Sequence, residues 1–145
     1  MKEKNDVQRA VTALLDELAP ERVLKRAERL PVPVEQYRTP SGCVLQAATA
    51  ALSVSWFPDP TTHSPLGELH VVVWRGVVSR RGAPARREPA TVTGELVLRP
   101  VEHPSDASVW RAGDGTTYDT DTLAARCLAM LAEQMAADPA AGPAK

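Results

Sequence analysis

Four arginines separated by a short apolar segment form the most distinctive local feature of the sequence. They are Arg80, Arg81, Arg86 and Arg87. The stretches on both sides are typical of strands, so these side chains would share one hairpin loop that could reach a nucleic-acid phosphate backbone. Against this, the net charge is -1 and no aromatic residue near the loop could stack on bases. We favour a solvated loop that keeps a long hairpin from aggregating, with nucleic-acid binding as an alternative.

Two other loops carry histidines and carboxylates of the types that zinc sites and general acid–base catalysis use. In a meander of strands the first and third connections lie at the same end of the sheet. That geometry would bring Asp59 and His63 near His103 and Asp106, with Glu102 beside them. Both loops also contain the Pro and Ser residues of ordinary turns. We therefore expect these side chains to be exposed loop residues and predict no metal site.

Residues 109–116 have a pattern similar to the apolar strand and Asp-x-Asp-Gly-Thr segment of aspartate-nucleophile phosphotransferases. Ala112 stands where the nucleophilic carboxylate would be, so the segment has no group that could form a phospho-enzyme. We interpret Asp114 and its flanking glycines as a tight turn between two short strands. The sequence also lacks a nucleophile elbow, a phosphate-binding glycine loop, a dinucleotide fingerprint and a paired-cysteine motif. We favour a protein without catalytic activity and expect no cofactor.

The composition is that of one small globular domain. Hydrophobic residues make up 43% and charged residues 24% of the 145 positions, close to the averages of folded domains, so we expect residues 1–137 to form a single domain. Because only 4% are aromatic, the core must be built from Val, Leu and Ala. Residues 138–145 are rich in Ala and Pro and are expected to form a frayed tail.

No stretch of the sequence is typical of a targeting signal or a membrane span. The polar N-terminal residues are followed by no apolar signal-peptide core, and no apolar run approaches the ~20 residues that cross a bilayer. We therefore expect a cytoplasmic protein that makes no membrane contact. Cys43 and Cys127 have no further Cys or His at metal-ligand spacing, which predicts two buried thiols that behave as small hydrophobic residues.

Apolar residues at helical spacing predict a helix at each end of the domain. The N-terminal helix, capped by Asn5 or Asp6, has a stripe formed by Val7, Val11, Leu14, Leu15 and Leu18. Pro20 is expected to begin a second helix that carries Val23, Leu24, Ala27 and Leu30, although the two helices could equally form one kinked helix. The C-terminal helix, capped by Asp119 or Thr120, has a stripe formed by Leu123, Cys127, Leu128, Leu131 and Met135.

Between the helices the apolar period changes to two, which predicts strands. Residues 31–40 contain three prolines and are expected to form an irregular connection. A long strand is predicted over 43–57, with Val44, Gln46, Ala48, Ala50, Leu52, Val54 and Trp56 on one face, although the Ala-rich middle also fits a helix. Further strands are predicted over 66–79 and over 90–101, where Val92, Leu96 and Leu98 should share a face. Trp110 and Tyr118 lie in the two arms of the short terminal hairpin.

These elements predict an α+β fold: an N-terminal helical segment, an antiparallel meander of about four strands, and a C-terminal helix packed on one face of the sheet. Trp56, Trp74 and Trp110 all lie on or beside predicted strands. Exposed tryptophans are enriched in binding hot spots, although each of the three could instead fill the core. The leading hypothesis is a non-enzymatic module that binds another protein or a second copy of itself. A carrier or enzyme with a pocket between the sheet and the C-terminal helix is a further alternative.

Overall fold

The computed structural model describes residues 4–23, 25–26, 34–58, 66–78, 90–101 and 110–137, with side chains from Val7 onward. Within these ranges, two helices precede seven strands and one helix follows them. The helices are α1 (Lys4–Glu17), α2 (Pro20–Val23) and α3 (Thr120–Ala137). The strands are β1 (Glu35–Thr39), β2 (Gly42–Gln46), β3 (Ala50–Phe57), β4 (Glu68–Arg75), β5 (Thr91–Pro100), β6 (Trp110–Ala112) and β7 (Thr117–Tyr118).

The seven strands form one sheet in which every strand is paired with its neighbour in the chain, in the order β1 to β7. All six pairings are antiparallel. The predicted α+β class, with an antiparallel meander and terminal helices, is therefore confirmed, although the sheet has more strands than expected. The Asp114 side chain accepts a hydrogen bond from the Thr116 N–H at 2.9 Å, which fixes the predicted turn between β6 and β7.

The long strand predicted over residues 43–57 is wrong, because a tight turn divides it into β2 and β3. The Ala47 N–H donates to the Ala50 carbonyl at 2.8 Å, which closes the turn. Leu45 then lies opposite Leu52, and both side chains are buried in the main core. The turn also changes the alternation, so Val44 and Gln46 face away from the core, whereas the sequence placed them with Leu52.

Strand β1 lies in the stretch that was expected to be an irregular connection. It pairs with β2 along its whole length, from Glu35 opposite Gln46 to Thr39 opposite Gly42. The Thr39 hydroxyl accepts a hydrogen bond from the Gly42 N–H at 2.9 Å and closes the turn between the two strands. Pro40 lies in that turn, where a missing N–H costs no strand hydrogen bond.

The prediction that Val92 shares a face with Leu96 and Leu98 is also wrong, because the pairing of β4 with β5 is irregular. The register places Val73 opposite Gly94 but Trp74 opposite Val92, so Thr93 is the extra residue of a bulge. The Thr93 hydroxyl donates to the Val73 carbonyl at 3.3 Å within this bulge. Because the bulge shifts the alternation by one residue, Val92 faces the side opposite to Leu96 and is 52% exposed.

The main core lies between one face of the sheet and the helices α1 and α3. Helix α3 packs over β3 and β4 and against α1, while α1 also contacts β2. The predicted stripe of α3 is confirmed, since its members are buried: Leu123, Cys127, Leu128, Leu131 and Met135. The predicted stripe of α1 is also buried. Each fully buried leucine contributes about 1.5–3 kcal/mol through removal of its side chain from water.

Two polar contacts position the helices at their ends. The Asp119 carboxylate accepts a hydrogen bond from the Thr122 N–H at 2.8 Å, and the Asp119 N–H donates to the Thr122 hydroxyl at 2.9 Å, so Asp119 is the N-cap of α3. The Arg26 guanidinium donates to Asp121 Oδ1 at 2.8 and 2.9 Å and ties the segment after α2 to the first turn of α3. Helix α2 is one turn long, shorter than predicted, and Leu24 and residues 27–33 lie outside the described part.

Candidate protein-interaction surface

The two faces of the sheet differ in what covers them. Helices α1 and α3 cover the face that carries Leu52 and Val71, whereas in the described ranges no helix packs on the opposite face, called the outer face below. Register and alternation assign the residues of the outer face on β3 to β5. They are Ala51, Ser53, Ser55 and Phe57 on β3, Glu68, His70, Val72 and Trp74 on β4, and Val92, Glu95, Val97 and Arg99 on β5.

The three tryptophans proposed as interface residues lie in two environments. Trp56 and Trp110 belong to the main core, at 9% and 1% exposure, and so contribute to packing rather than to an accessible surface. Trp74 lies on the outer face and is half-buried, and its indole N–H donates to the Ser53 hydroxyl at 3.1 Å. Of the three, only Trp74 is positioned to contact a partner.

One end of the outer face is closed by the chain itself. Val78 folds back against β2 and forms a small apolar cluster with Val44 and Ala51, against which Trp74 also packs. The Gln46 side chain holds this segment in place, because its carbonyl oxygen accepts the Val78 N–H at 2.9 Å and its amide group donates to the Gly76 carbonyl at 3.1 Å. Gln46, a polar residue within an apolar sequence pattern, therefore fixes the return of the chain after β4.

Large apolar side chains are exposed on the outer face. Val92 is 52% exposed beside Trp74, and Phe57 is 48% exposed at the other end of β3. The Phe57 ring meets the His70 imidazole edge to face, with centroids 4.9 Å apart. A face that combines exposed apolar groups with a half-buried tryptophan has the composition of a protein-binding surface.

A polar network lies next to Phe57 on the same face. Glu68 accepts hydrogen bonds from His70 Nε2 at 3.1 Å and from Arg99 Nε at 3.3 Å, and Glu95 lies 3.9 Å from His70 Nδ1. The hydrogen bond from His70, followed by the contact with Arg99, lowers the pKa of Glu68. The carboxylate is therefore ionised and occupied as an acceptor at neutral pH, which suits a fixed polar rim better than a proton acceptor in catalysis.

A groove lies between α3 and the sheet, at the place of the pocket in the carrier-or-enzyme alternative. Its volume is about 360 Å³. Val73, Gly94 and Met130 form its floor, and Arg126 and Glu133 of α3 stand on its rim. A Cβ atom added to Gly94 would meet only the Val73 Cβ, at 3.9 Å, so the space above this glycine is open. A glycine inside a strand pattern is a sequence signal for close approach of another group to the backbone.

Several residues singled out from the sequence lie outside the described ranges. They are Arg80, Arg81, Arg86 and Arg87 of the arginine loop, and Asp59, His63, His103 and Asp106 of the histidine–carboxylate set. Both the nucleic-acid hypothesis and the expected absence of a metal site in those loops stay predictions. Within the described residues, no group of three or more His, Cys, Asp or Glu side chains could hold a metal ion.

Sequence reasoning missed the polar network of the outer face, because Glu68 and Arg99 are brought together only by the register of β4 and β5.

Comparisons with protein-family models, curated proteins and solved structures find no match to this chain. In the described part, no helix is long and apolar enough to span a bilayer. The candidate surface therefore rests on geometry and on side-chain chemistry alone.

Proposed function

We propose that the protein is a non-enzymatic interaction module that uses the outer face of its sheet to bind another protein or a second copy of itself. The observation that carries this proposal is the exposure of Phe57 and Val92 on a face that no described helix covers. Full burial of each of these two side chains against a partner would contribute about 1.5–3 kcal/mol to the free energy of binding. We place this binding in the cytoplasm, the compartment expected from the sequence.

The arrangement of the outer face supports this function. Binding surfaces commonly have an apolar centre with Trp or Tyr anchors and a polar rim. Trp74 and Val92 provide apolar area near one end, and the bond from Trp74 to Ser53 already satisfies the indole N–H. Glu68 and Arg99 provide fixed charges of both signs, which can select the orientation of a partner without a large net field.

Site-specific photo-crosslinking tests the proposal. A benzophenone amino acid at position 92 or 57 should give a protein adduct in cells, whereas the same probe at Glu21, an exposed position on α2, should give none. Sedimentation at increasing protein concentration then identifies a second copy as the partner, and V92K should weaken the association by about tenfold or more. Equal adducts at all three positions, or a monomer without adducts, would contradict the proposal.

A further inference from the structure

Strand β5 has an edge that its neighbour covers only in part. β6 pairs with β5 at Leu98, Arg99 and Pro100 alone and then turns away at Ala112. In the part of the chain that the structure describes, residues 91–97 therefore have a strand partner on one side, β4, and none on the other. In an antiparallel edge every second residue directs both its N–H and its C=O outwards, so about three residues of this stretch offer unpaired backbone groups.

The groove beside α3 adjoins this edge. Thr93, Gly94 and Glu95 of β5 line it together with the second half of α3. A strand placed beside residues 91–97 would occupy the sheet position that β6 leaves at Ala112. Its core-facing side chains would point toward α3, and the space above Gly94 could receive one of them.

We propose that this groove binds an extended peptide segment of a partner protein, which adds to the edge of β5 as a further strand. Backbone hydrogen bonds to β5 would provide affinity, and the side chain above Gly94 would provide selectivity. The open edge spans residues 91–97, so an extended segment with the same rise of about 3.3 Å per residue would pair with it over about seven residues. This site is separate from the outer face and does not depend on the function proposed for that face.

The lining indicates the chemistry of the peptide. Val73 and Met130 make the floor apolar, at 4% and 9% exposure, so an aliphatic side chain fits above Gly94. The rim carries the Glu133 carboxylate, which is 72% exposed, and the Arg126 guanidinium, which lies 4.0 Å from it. The carbonyl end of α3 adds a partial negative charge. The groove therefore suits a peptide with an aliphatic residue above Gly94 and a Lys or Arg near the carbonyl end of α3.

A second copy of the chain fits this edge less well than a peptide does. Two β5 edges paired around a two-fold axis at Gly94 would bring the two Glu95 carboxylates close to that axis, and like charges across strands are unfavourable. The bulge at Thr93 also distorts the edge at the point where such a symmetric pairing would be centred.

Selection from a phage-displayed library of random ten-residue peptides against the full chain tests the proposal. We expect enriched peptides with an aliphatic residue and a Lys or Arg, and slower amide exchange at residues 91–97 when a selected peptide is bound. G94V should fold, because a Cβ fits at this position without a clash. The valine should fill the space above the strand and weaken peptide binding, measured by fluorescence anisotropy, by about tenfold or more. T12V, a substitution on the exposed side of α1, is the matched control and should leave the affinity unchanged.

A charge-reversal variant keeps the test valid if G94V does not fold. E133K changes an exposed side chain, so it should leave the fold intact and weaken binding of a basic peptide by about tenfold or more. The proposal is overturned if no peptide binds saturably, or if bound peptides leave the exchange of residues 91–97 unchanged. Protection of that edge that increases with protein concentration and needs no peptide would overturn it in favour of a second copy.

Discussion

The indole rings of Trp56 and Trp110 meet edge to face, with ring centroids 5.8 Å apart and ring planes inclined at 75°. Trp56 lies on β3 and Trp110 on β6, so the pair joins two strands that are separated in the sheet by β4 and β5. The Trp110 indole N–H is buried and has no hydrogen-bond partner among the residues that the structure describes. Burial of this N–H without a partner costs free energy, and the contact with the Trp56 ring stabilises the buried position of Trp110.

A double-mutant cycle measures this contact. We expect W56L and W110L each to lower the free energy of unfolding, and their combination to cost about 0.5–1.5 kcal/mol less than the sum, because the second substitution finds the contact already lost. Urea denaturation followed by circular dichroism gives the three values. A control cycle of W110L with W74L, on the other side of the sheet, should be additive within about 0.5 kcal/mol. Additivity of the first cycle would contradict a direct contact.

Gln46 is expected to hold the segment that returns after β4. Q46A removes the acceptor for the Val78 N–H and the donor to the Gly76 carbonyl, and should cost about 1–3 kcal/mol of stability because these groups lie in a partly buried site. Amide exchange at Val78 should accelerate more than exchange within β3. Q36A is the matched control, since the Gln36 side chain also makes two bonds, to the Leu15 carbonyl at 3.1 Å and from Arg38 Nε at 3.0 Å, but none to the segment after β4. Unchanged exchange at Val78 would show that Gln46 does not hold the segment.

The N-cap of α3 gives a prediction about pH. The hydrogen bond from the Thr122 N–H is the main cause that lowers the pKa of Asp119 below its ordinary value. A carboxyl whose pKa is lower in the folded state stabilises the fold above its unfolded pKa, and this contribution disappears as the pH falls through the folded pKa. D119A should therefore cost about 0.5–2 kcal/mol near neutral pH, and less in acid.

The neutral variant D119N separates capping from charge. Asn keeps an acceptor for the Thr122 N–H but does not titrate, so D119N should retain most of the stability at neutral pH. The difference between the wild type and D119N should shrink as the pH falls below the ordinary range of aspartate. Thermal unfolding at several pH values measures both variants. A D119A effect that is equal at every pH would argue against an ionised cap.

The two cysteines are expected to be inert in the folded protein. Burial raises the pKa of Cys43 to about 12, although Arg38 acts to lower it, and burial together with the nearby Cys43 raises the pKa of Cys127 to about 12. At pH 8 only about one thiol in ten thousand would be ionised, so alkylation should follow global unfolding. Iodoacetamide labelling read by mass spectrometry should give equal rates for both. Fast labelling of either one would contradict its burial.

The same pKa values predict a loss of stability at high pH. An acidic thiol whose pKa is raised by folding stabilises the fold fully below its unfolded pKa, near 9, and the contribution is lost as the pH rises toward the folded value. C43A and C127A should therefore flatten the decline of the melting temperature between about pH 9 and pH 12. A decline as steep as that of the wild type would assign the effect to other groups.

Helix α3 is expected to be essential to the core. Leu128 is fully buried between the helix and the sheet, so L128A should cost about 2–5 kcal/mol through lost burial and the cavity that remains. E133A, on the exposed side of the same helix, is the control and should change stability by less than about 0.5 kcal/mol. Removal of residues 121–145 should leave an aggregating or molten product. Dispersed amide resonances from that shortened chain would contradict the layer arrangement.

Sequence patterns predicted the elements whose periodicity is long and uninterrupted. The stripes of α1 and α3 and the alternation of β4 follow directly from apolar spacing, because burial on one side imposes it. The turn at residues 47–49 has no Gly, Pro or Asn, and a side chain from Gln46 bonds to it, at 2.7 Å to the Ala47 carbonyl. A turn held by a side chain gives no compositional signal, so the sequence pattern predicts one strand where the structure has β2 and β3.

The candidate surfaces depend on register, which the sequence does not contain. The bulge at Thr93 turns Val92 to the outer face, and the pairing of β4 with β5 places Glu68 beside Arg99. Neither relationship can be read from the sequence, because Val73 and Thr93 are 20 positions apart and Glu68 and Arg99 are 31 positions apart. The early end of β6, which leaves the edge of β5 open, follows from the turn after Ala112 rather than from any property of β5 itself.

The position of α3 after the whole sheet in chain order has a consequence for biosynthesis. Hairpins of neighbouring strands form in about 1–10 μs, whereas the 18 residues of α3 take roughly 1–4 s to synthesise at 5–20 residues per second. During that interval the apolar side of β3 and β4 has no helix from the C-terminal end to cover it. Nascent chains should therefore be most prone to aggregate, and most dependent on a ribosome-bound chaperone, while the codons of α3 are being read. Slower translation of those codons should lower the yield of folded protein without changing its final stability.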